Sequence, residues 1–341
     1  MIAIPTLQGL LNYIVYVLTS RTFLEMIIFP GFLNIMLGAA FLVWLERKLI
    51  ARVQLRIGPL YAGMWGILQP VADGLKLMFK EMIFPELADK KVLILGALAL
   101  MMLAVAPVVA IPFGEAFVIA DMNIGLLYVF AVISLFPTVI LLIGWGSNSK
   151  YSLLGGLRSM FQQVAYEVPM WLSVLGIVML TGTLNLTEIV RAQEKVWFIV
   201  PEVLGFAVFF TAVLAELERI PFDLPEAETE LVMGWMTELS GVAFMVGFLA
   251  MYTKVYVMSA LITVLFLGGW GGPSVIPQPI WFLAKTFLVA SVMVIIRGTF
   301  PRVRVDILLK AAWGRLLLLA LANIFVTAGL IWLGLGGIWR V

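Results

Sequence analysis

The chain is 341 residues long, 63% hydrophobic and 12% charged, with 22 Lys+Arg against 20 Asp+Glu. A water-soluble domain is about 45–50% apolar and about 25% charged, so this chain carries roughly half the charge needed to face water all round and reads as a membrane protein. A net charge of +2 excludes a nucleic-acid-binding surface, and the lack of Cys and His excludes disulfides, Cys/His metal sites, haem or iron–sulfur ligation and His-based acid–base catalysis. No metal site is expected, and proton chemistry falls to carboxylates, Lys and Tyr.

Residues 1–20 are apolar, but no base precedes the run and no small-residue cleavage site follows it. They read as an interfacial helix or a lead-in to the first span rather than a signal peptide. A helix needs about 20 apolar residues to cross the bilayer core, and the first run of that length is 24–45. A long loop, 46–91, follows. Within it, apolar positions 68, 71, 72, 75, 78 and 79 recur at helical spacing, with Asp73, Lys76 and Lys80 on another face. This predicts an amphipathic helix on the membrane surface, as an anchor or as the roof of a cavity. Further spans are predicted at 92–113, 124–146, 165–184, 199–219, 243–265, 281–299 and 313–335, and the Gly- and Pro-rich connection 268–280 reads as plain turns. The expected architecture is a single all-α domain over 1–341 with about eight transmembrane helices.

The loops after odd-numbered spans hold sixteen Lys and Arg, while the opposite side has four: Arg21, Arg191, Lys195 and Arg340. Bases stay in the cytoplasm, so the long loop is expected there and both termini outside, in a multi-pass protein of the cytoplasmic (inner) membrane.

Charge is concentrated in one place, the loop 216–242, where Glu216, Glu218, Asp223, Glu226, Glu228, Glu230 and Glu238 fall within a few turns of one another. Asp223 and Glu226, with Pro225 just inside, have the spacing of a capping box, so a short helix is predicted to begin there. Pro221, Phe222, Leu224, Leu231, Val232 and Trp235 interleave the acids, so the segment should pack against the bundle. Two carboxylates about 6 Å apart at an effective dielectric of about 20 repel by roughly 3 kcal/mol, about two pKa units. Such groups titrate together, and a buried row of them is suited to relaying protons. Within the spans, Glu167 and Lys254 are the main functional candidates, because a charge in hydrocarbon costs at least about 3 kcal/mol. Lys254 needs a carboxylate partner or a wet cavity. Lys285, Glu202 and Glu25 lie close enough to span ends to snorkel.

Four blocks, LERKLIARVQLRIGP (45–59), LQPVADGLK (68–76), GWGSNSKYSLLG (144–155) and the acidic run from Pro221 to Glu238, stand in this order. Over about residues 44–315 the chain resembles the H-subunit family of the complex I membrane arm, whose mitochondrial members are called subunit 1. The resemblance implies an eight-span subunit at the heel of a respiratory complex. Such a subunit binds no redox cofactor of its own and forms much of the chamber for its substrate quinone. Its partners would be the iron–sulfur and catalytic subunits of a cytoplasmic arm, small membrane subunits and antiporter-like subunits, with the lipid bilayer around it. Carried over by motif, Glu46, Arg47, Asp73, Arg219 and Arg297 would line the quinone chamber and its approach. Glu216 and Glu167, with Glu226, Glu228 and Glu230, would form the acidic path into the membrane. The chain departs from the family pattern at Leu60, Met82, Leu239, Met251 and Val305.

The function expected is therefore the coupling of electron transfer at the cytoplasmic arm to proton or sodium translocation. The alternative is the same subunit in an archaeal membrane-bound hydrogenase, sulfur reductase or deazaflavin-linked dehydrogenase, with no quinone. A stand-alone secondary transporter would need two similar halves with paired broken helices, and the sequence has neither.

Overall fold

The computed structural model describes residues 25–225, 228–273, 275–334 and 337. The apolar segment 1–20 lies outside them. Among the described residues seven helices are long and apolar enough to cross a membrane: Glu25–Val53, Lys90–Val109, Gly125–Gly146, Lys150–Thr181, Gly241–Phe266, Gln278–Thr299 and Val305–Trp332. They coincide with seven of the expected spans, and no β-strand is formed among the described residues. The protein is an all-α, multi-pass membrane protein.

The remaining span differs. Hydropathy predicts it over 199–219, but the helix there is Val203–Glu216, with turns at 198–202 before it. Fourteen residues at 1.5 Å each reach only about 21 Å, short of the roughly 30 Å hydrocarbon core. Pro201 helps delay its start, and Glu218 (φ 53°) with Pro221 ends it.

In chain order the helices are α1 (Phe32–Val53), α2 (Gln69–Met78), α3 (Lys90–Val105), α4 (Gly125–Ile133), α5 (Phe136–Gly146), α6 (Lys150–Thr181), α7 (Leu186–Ala192), α8 (Val203–Glu216), α9 (Glu228–Leu231), α10 (Gly241–Phe266), α11 (Gln278–Thr299), α12 (Val305–Lys310) and α13 (Leu317–Trp332). Local chemistry sets their ends. The Asp89 carboxylate accepts from the Lys91 and Val92 amides to cap α3, and Asn185 caps α7 in the same way. Pro137 has no N–H to donate to the preceding turn, so α4 and α5 form one span in two pieces. Gly182, at φ +75°, stops α6.

Every residue of α10 from Ala250 to Phe266 is buried, as expected of a helix apolar all round. The spans α1, α3 and α11 pack along it, and the outer spans turn apolar side chains outward. The predicted surface helix is α2, which buries none of its residues.

Two charged residues expected to snorkel do not. Lys285 is 8% exposed, and its Nζ donates to the carbonyls of Leu267, Gly269 and Gly271 at 2.7–3.1 Å. Gly268 and Gly269, at φ +68° and +47°, fold the connection around this ammonium, so it is more than a plain turn. Glu202 is 1% exposed, because the turns at 198–202 deliver its side chain into the bundle before α8 begins.

Close helix packing depends on Gly155 of α6, where an added Cβ would lie 2.7–2.8 Å from the backbone of Gly234 and Trp235. Gly155→Ala is expected to destabilise the protein by about 1–3 kcal/mol through overpacking. Gly74→Ala, with nothing within 4 Å, should be neutral or stabilising by up to about 1 kcal/mol. Thermal melting of the two detergent-purified variants compares them directly.

Candidate functional site

Two polar groupings lie near one another at one end of the bundle. In the first, Glu46 on α1 is 6% exposed, and its carboxylate accepts from Arg219 at 3.1 and 3.2 Å and from Arg297 on α11. One buried carboxylate with two guanidinium groups leaves a local excess of positive charge. The Arg219 guanidinium also lies 4.7 Å from the ring centroid of Tyr252 on α10. Arg219, Tyr252 and Arg297 border a cavity of about 110 Å³ whose lining also includes Glu218 and Met251.

Arg47, the next residue on α1, faces another way and pairs with Asp73 of α2, which also accepts from Gln69 at 2.9 Å. This pair borders a mainly apolar groove of about 470 Å³ between α1, α2 and α10. Met36, Ala40 and Val43 form one wall, Val71 and Leu77 another, and Phe244, Phe248 and Leu249 the third. Phe244 and Phe248 line both the groove and the polar cavity. With Tyr252 they form an aromatic row at four-residue spacing on α10, with centroids 6.0 and 4.8 Å apart. Of the two readings offered for the surface helix, the structure supports a cavity wall.

The second grouping is buried deeper. Lys254, 3% exposed, donates to Glu216 Oε1 at 2.8 Å, the Glu216 carbonyl at 3.0 Å and Gln163 Oε1 at 2.9 Å. The partner that the sequence required for this lysine is thus Glu216. Gln163 on α6 turns its amide nitrogen toward Glu218, donating at 2.8 Å, and Ser159 one turn away donates to the same carboxylate. Gln163 therefore joins Glu218, which borders the polar cavity, to the Lys254–Glu216 pair. Glu218 lies in the turn beyond α8. Burial pushes its carboxyl above the usual range, against the opposing pull of Ser159, Lys254 and Gln163. Glu167, half-buried on α6 one turn beyond Gln163, is near enough to Lys254 and Glu216 for their charges to interact.

The rest of the acidic run is dispersed. Asp223 pairs with Arg302 at 3.0 Å, and the helix expected to start on it does not form at 224–225; the described helix nearby is Glu228–Leu231. Glu230 is well exposed and pairs with Arg158 at 2.6 Å. Glu226 and the side chain of Glu228 lie outside the described residues. Gln163 and Ser159 were not singled out by sequence reasoning, and Glu218 entered it only as a member of the acidic run. Only the i, i+4 spacing of Ser159, Gln163 and Glu167 on one helix hinted at a polar face there.

This arrangement defines a class: a helical membrane protein holding ionisable groups in its interior beside an apolar groove. Residues 26–328 match the sequence profile of the family described as NADH dehydrogenase. The chain is 46% identical over 303 residues to the H subunit of the NADH-quinone oxidoreductase of Dehalococcoides mccartyi strain CBDB1, covering 89% of this chain and 85% of that one. It is 45% identical over 303 residues to the H subunit from Rhodospirillum centenum, covering 87% and 90%, and 48% identical over 301 residues to that from Brevibacillus brevis, also covering 87% and 90%. The chain belongs to this family of NADH-quinone oxidoreductase membrane subunits.

The buried pair can be tested by itself. Lys254→Met leaves Glu216 without a cation and is expected to cost about 3–5 kcal/mol. Adding Glu216→Gln should recover most of that loss. Thermal inactivation midpoints of the single and double variants report the recovery.

Proposed function

We propose that this chain forms the quinone chamber of a complex I-like oxidoreductase and passes the electrostatic consequence of quinone reduction into the membrane. The observation that carries this reading is the shared position of Glu218, which borders the polar cavity and is tied through Gln163 to Lys254 and Glu216. The groove between α1, α2 and α10 suits an isoprenoid tail, being lined mainly by apolar side chains and bordered by lipid-facing helices. A quinone headgroup advancing along Phe244, Phe248 and Tyr252 would meet Arg219 and Arg297.

In this reading the chain binds no redox centre. Electrons come from iron–sulfur and catalytic subunits of a cytoplasmic arm, which would cover the exposed Leu55, Ile57, Tyr61, Met64 and Trp65 of the long loop. Two-electron reduction of a quinone builds negative charge on its oxygens until two protons arrive. The two guanidinium groups stabilise that charge, and Glu46 is the carboxylate that must share them. As the arginines turn toward substrate, the field at Glu218 changes, and the proton balance among Glu218, Glu216 and Glu167 readjusts. Small membrane subunits and antiporter-like subunits would receive that change from Glu167 and Glu216 and move protons or sodium. In this reading the excess of bases in the odd loops supports a chamber on the cytoplasmic side of the inner membrane and, with α8 and its flanking turns crossing as an eighth span, both termini outside.

Two outcomes test this. Ala40→Phe, which narrows the groove, is expected to raise the apparent KM for quinone about tenfold, equivalent to about 1.4 kcal/mol of binding. NADH oxidation by a water-soluble acceptor that draws electrons from the cytoplasmic arm should be unchanged. Glu216→Gln is expected to lower proton movement per NADH in proteoliposomes while the complex still assembles. Wild-type coupling in that variant would remove Glu216 from the relay.

A further inference from the structure

At the other end of α8 from Glu216 stands a second buried carboxyl, Glu202, about 21 Å away by the length of the helix. It forms no salt bridge among the described residues. Its neighbours are neutral: Asn323 Nδ2 donates to Oε2 at 2.6 Å, and Thr327 Oγ1 lies 2.5 Å from Oε1. Asn323 and Thr327, 1% and 0% exposed, lie on the buried stripe of α13, a helix that otherwise faces outward. The niche is shaped to this group. An added Cβ at Gly176 of α6 or Gly205 of α8 would come within 2.7–2.8 Å of Glu202 oxygens and Asn323 Nδ2.

Counting hydrogens decides what the carboxyl carries. Thr327 Oγ1 is within bonding distance of two acceptors, Glu202 Oε1 at 2.5 Å and the Asn323 carbonyl at 2.8 Å. A threonine hydroxyl has one hydrogen. Within a helix it ordinarily goes to the carbonyl four residues back, here Asn323. The shorter contact to Glu202 then lacks a hydrogen unless the carboxyl supplies it. The 2.5 Å separation requires one hydrogen between the two oxygens.

We propose that Glu202, Asn323 and Thr327 form a proton-holding site at the end of the bundle remote from the quinone chamber. The Glu202 carboxyl donates to Thr327 Oγ1, Thr327 donates to the Asn323 carbonyl, and the Asn323 amide donates to the other Glu202 oxygen. This places a proton in an apolar interior without a buried charge. It also gives α8 an exchangeable carboxyl at each end, and protons moving through the protein use the remote one as a second station. The transport role rests on the relay reading of Glu216, whereas the protonation of Glu202 does not.

The test uses the intact complex in proteoliposomes. Infrared spectra are expected to show a protonated-carboxyl C=O band that E202Q removes and T327V shifts. Glutamine keeps an N–H for Thr327, so E202Q should assemble and retain quinone-linked NADH oxidation while moving fewer protons per NADH. Absence of the band, or its persistence unchanged in both variants, overturns the protonated site. Wild-type proton movement in E202Q overturns the transport role. If E202Q fails to assemble, the band shift in T327V decides the protonation and the protons moved per NADH in T327V decide the transport role. Wild-type coupling in E216Q with the Glu202 band present would reject the relay alone.

Discussion

A charge surrounded by apolar helices costs several kcal/mol unless a partner and hydrogen bonds meet it at once, and the packing around α10 follows from that constraint. Lys254, 3% exposed, lies on the most buried span among the described residues. Its three donor positions are filled by Gln163, the Glu216 carboxylate and the Glu216 carbonyl. The last acceptor exists because α8 stops early. A helix end leaves carbonyls without intrahelical partners and a partial negative charge, so the end of α8 inside the bundle needs a cation as much as the lysine needs an anion. The truncated span and the intramembrane lysine therefore satisfy each other.

The same constraint separates two polar zones that stay within reach of one another. Around Glu46 the balance is positive and partly open to a cavity, which suits a group that becomes negative during reaction. Around Lys254 it is closed and paired. Met251 lines the cavity, and Lys254 three positions later looks the other way, toward α6 and α8. Gln163 can serve both zones because an amide offers an acceptor to Lys254 and a donor to Glu218 from one side chain.

Much of the fold was legible in the sequence because long apolar runs and helical periodicity report burial directly. The seven long spans and α2 came from those patterns, as did the need for a partner at Lys254. The length of α8 did not. Hydropathy over 199–219 is continuous, and what ends the helix is a backbone turn at Glu218 that composition does not encode. Glu202 and Lys285 looked like residues able to reach water because position along a span was the only guide. Their actual partners, Asn323, Thr327 and the 267–271 backbone, come from segments far away or folded back by glycines. The acidic run looked like one row. Tertiary pairing divides it into Glu216 with Lys254, Asp223 with Arg302 and Glu230 with Arg158. Such pairings depend on which helices are neighbours, and periodicity within one helix carries no information on that.

The last span is not α-helical throughout: residues Ala311–Leu316, between α12 and α13, wind as a π-helix. Its wider turns accommodate a residue more than an α-helix would over the same stretch, so this segment sets the azimuth of everything after it. An α-helix advances about 100° per residue, so rewinding the same residues as α-helix would turn the stripe bearing Asn323 and Thr327 away from Glu202 and bring adjacent apolar positions, such as Ala322 and Val326, toward it. A local anomaly of winding near one membrane surface thus acts as the angular adjustment for a carboxyl niche several turns away.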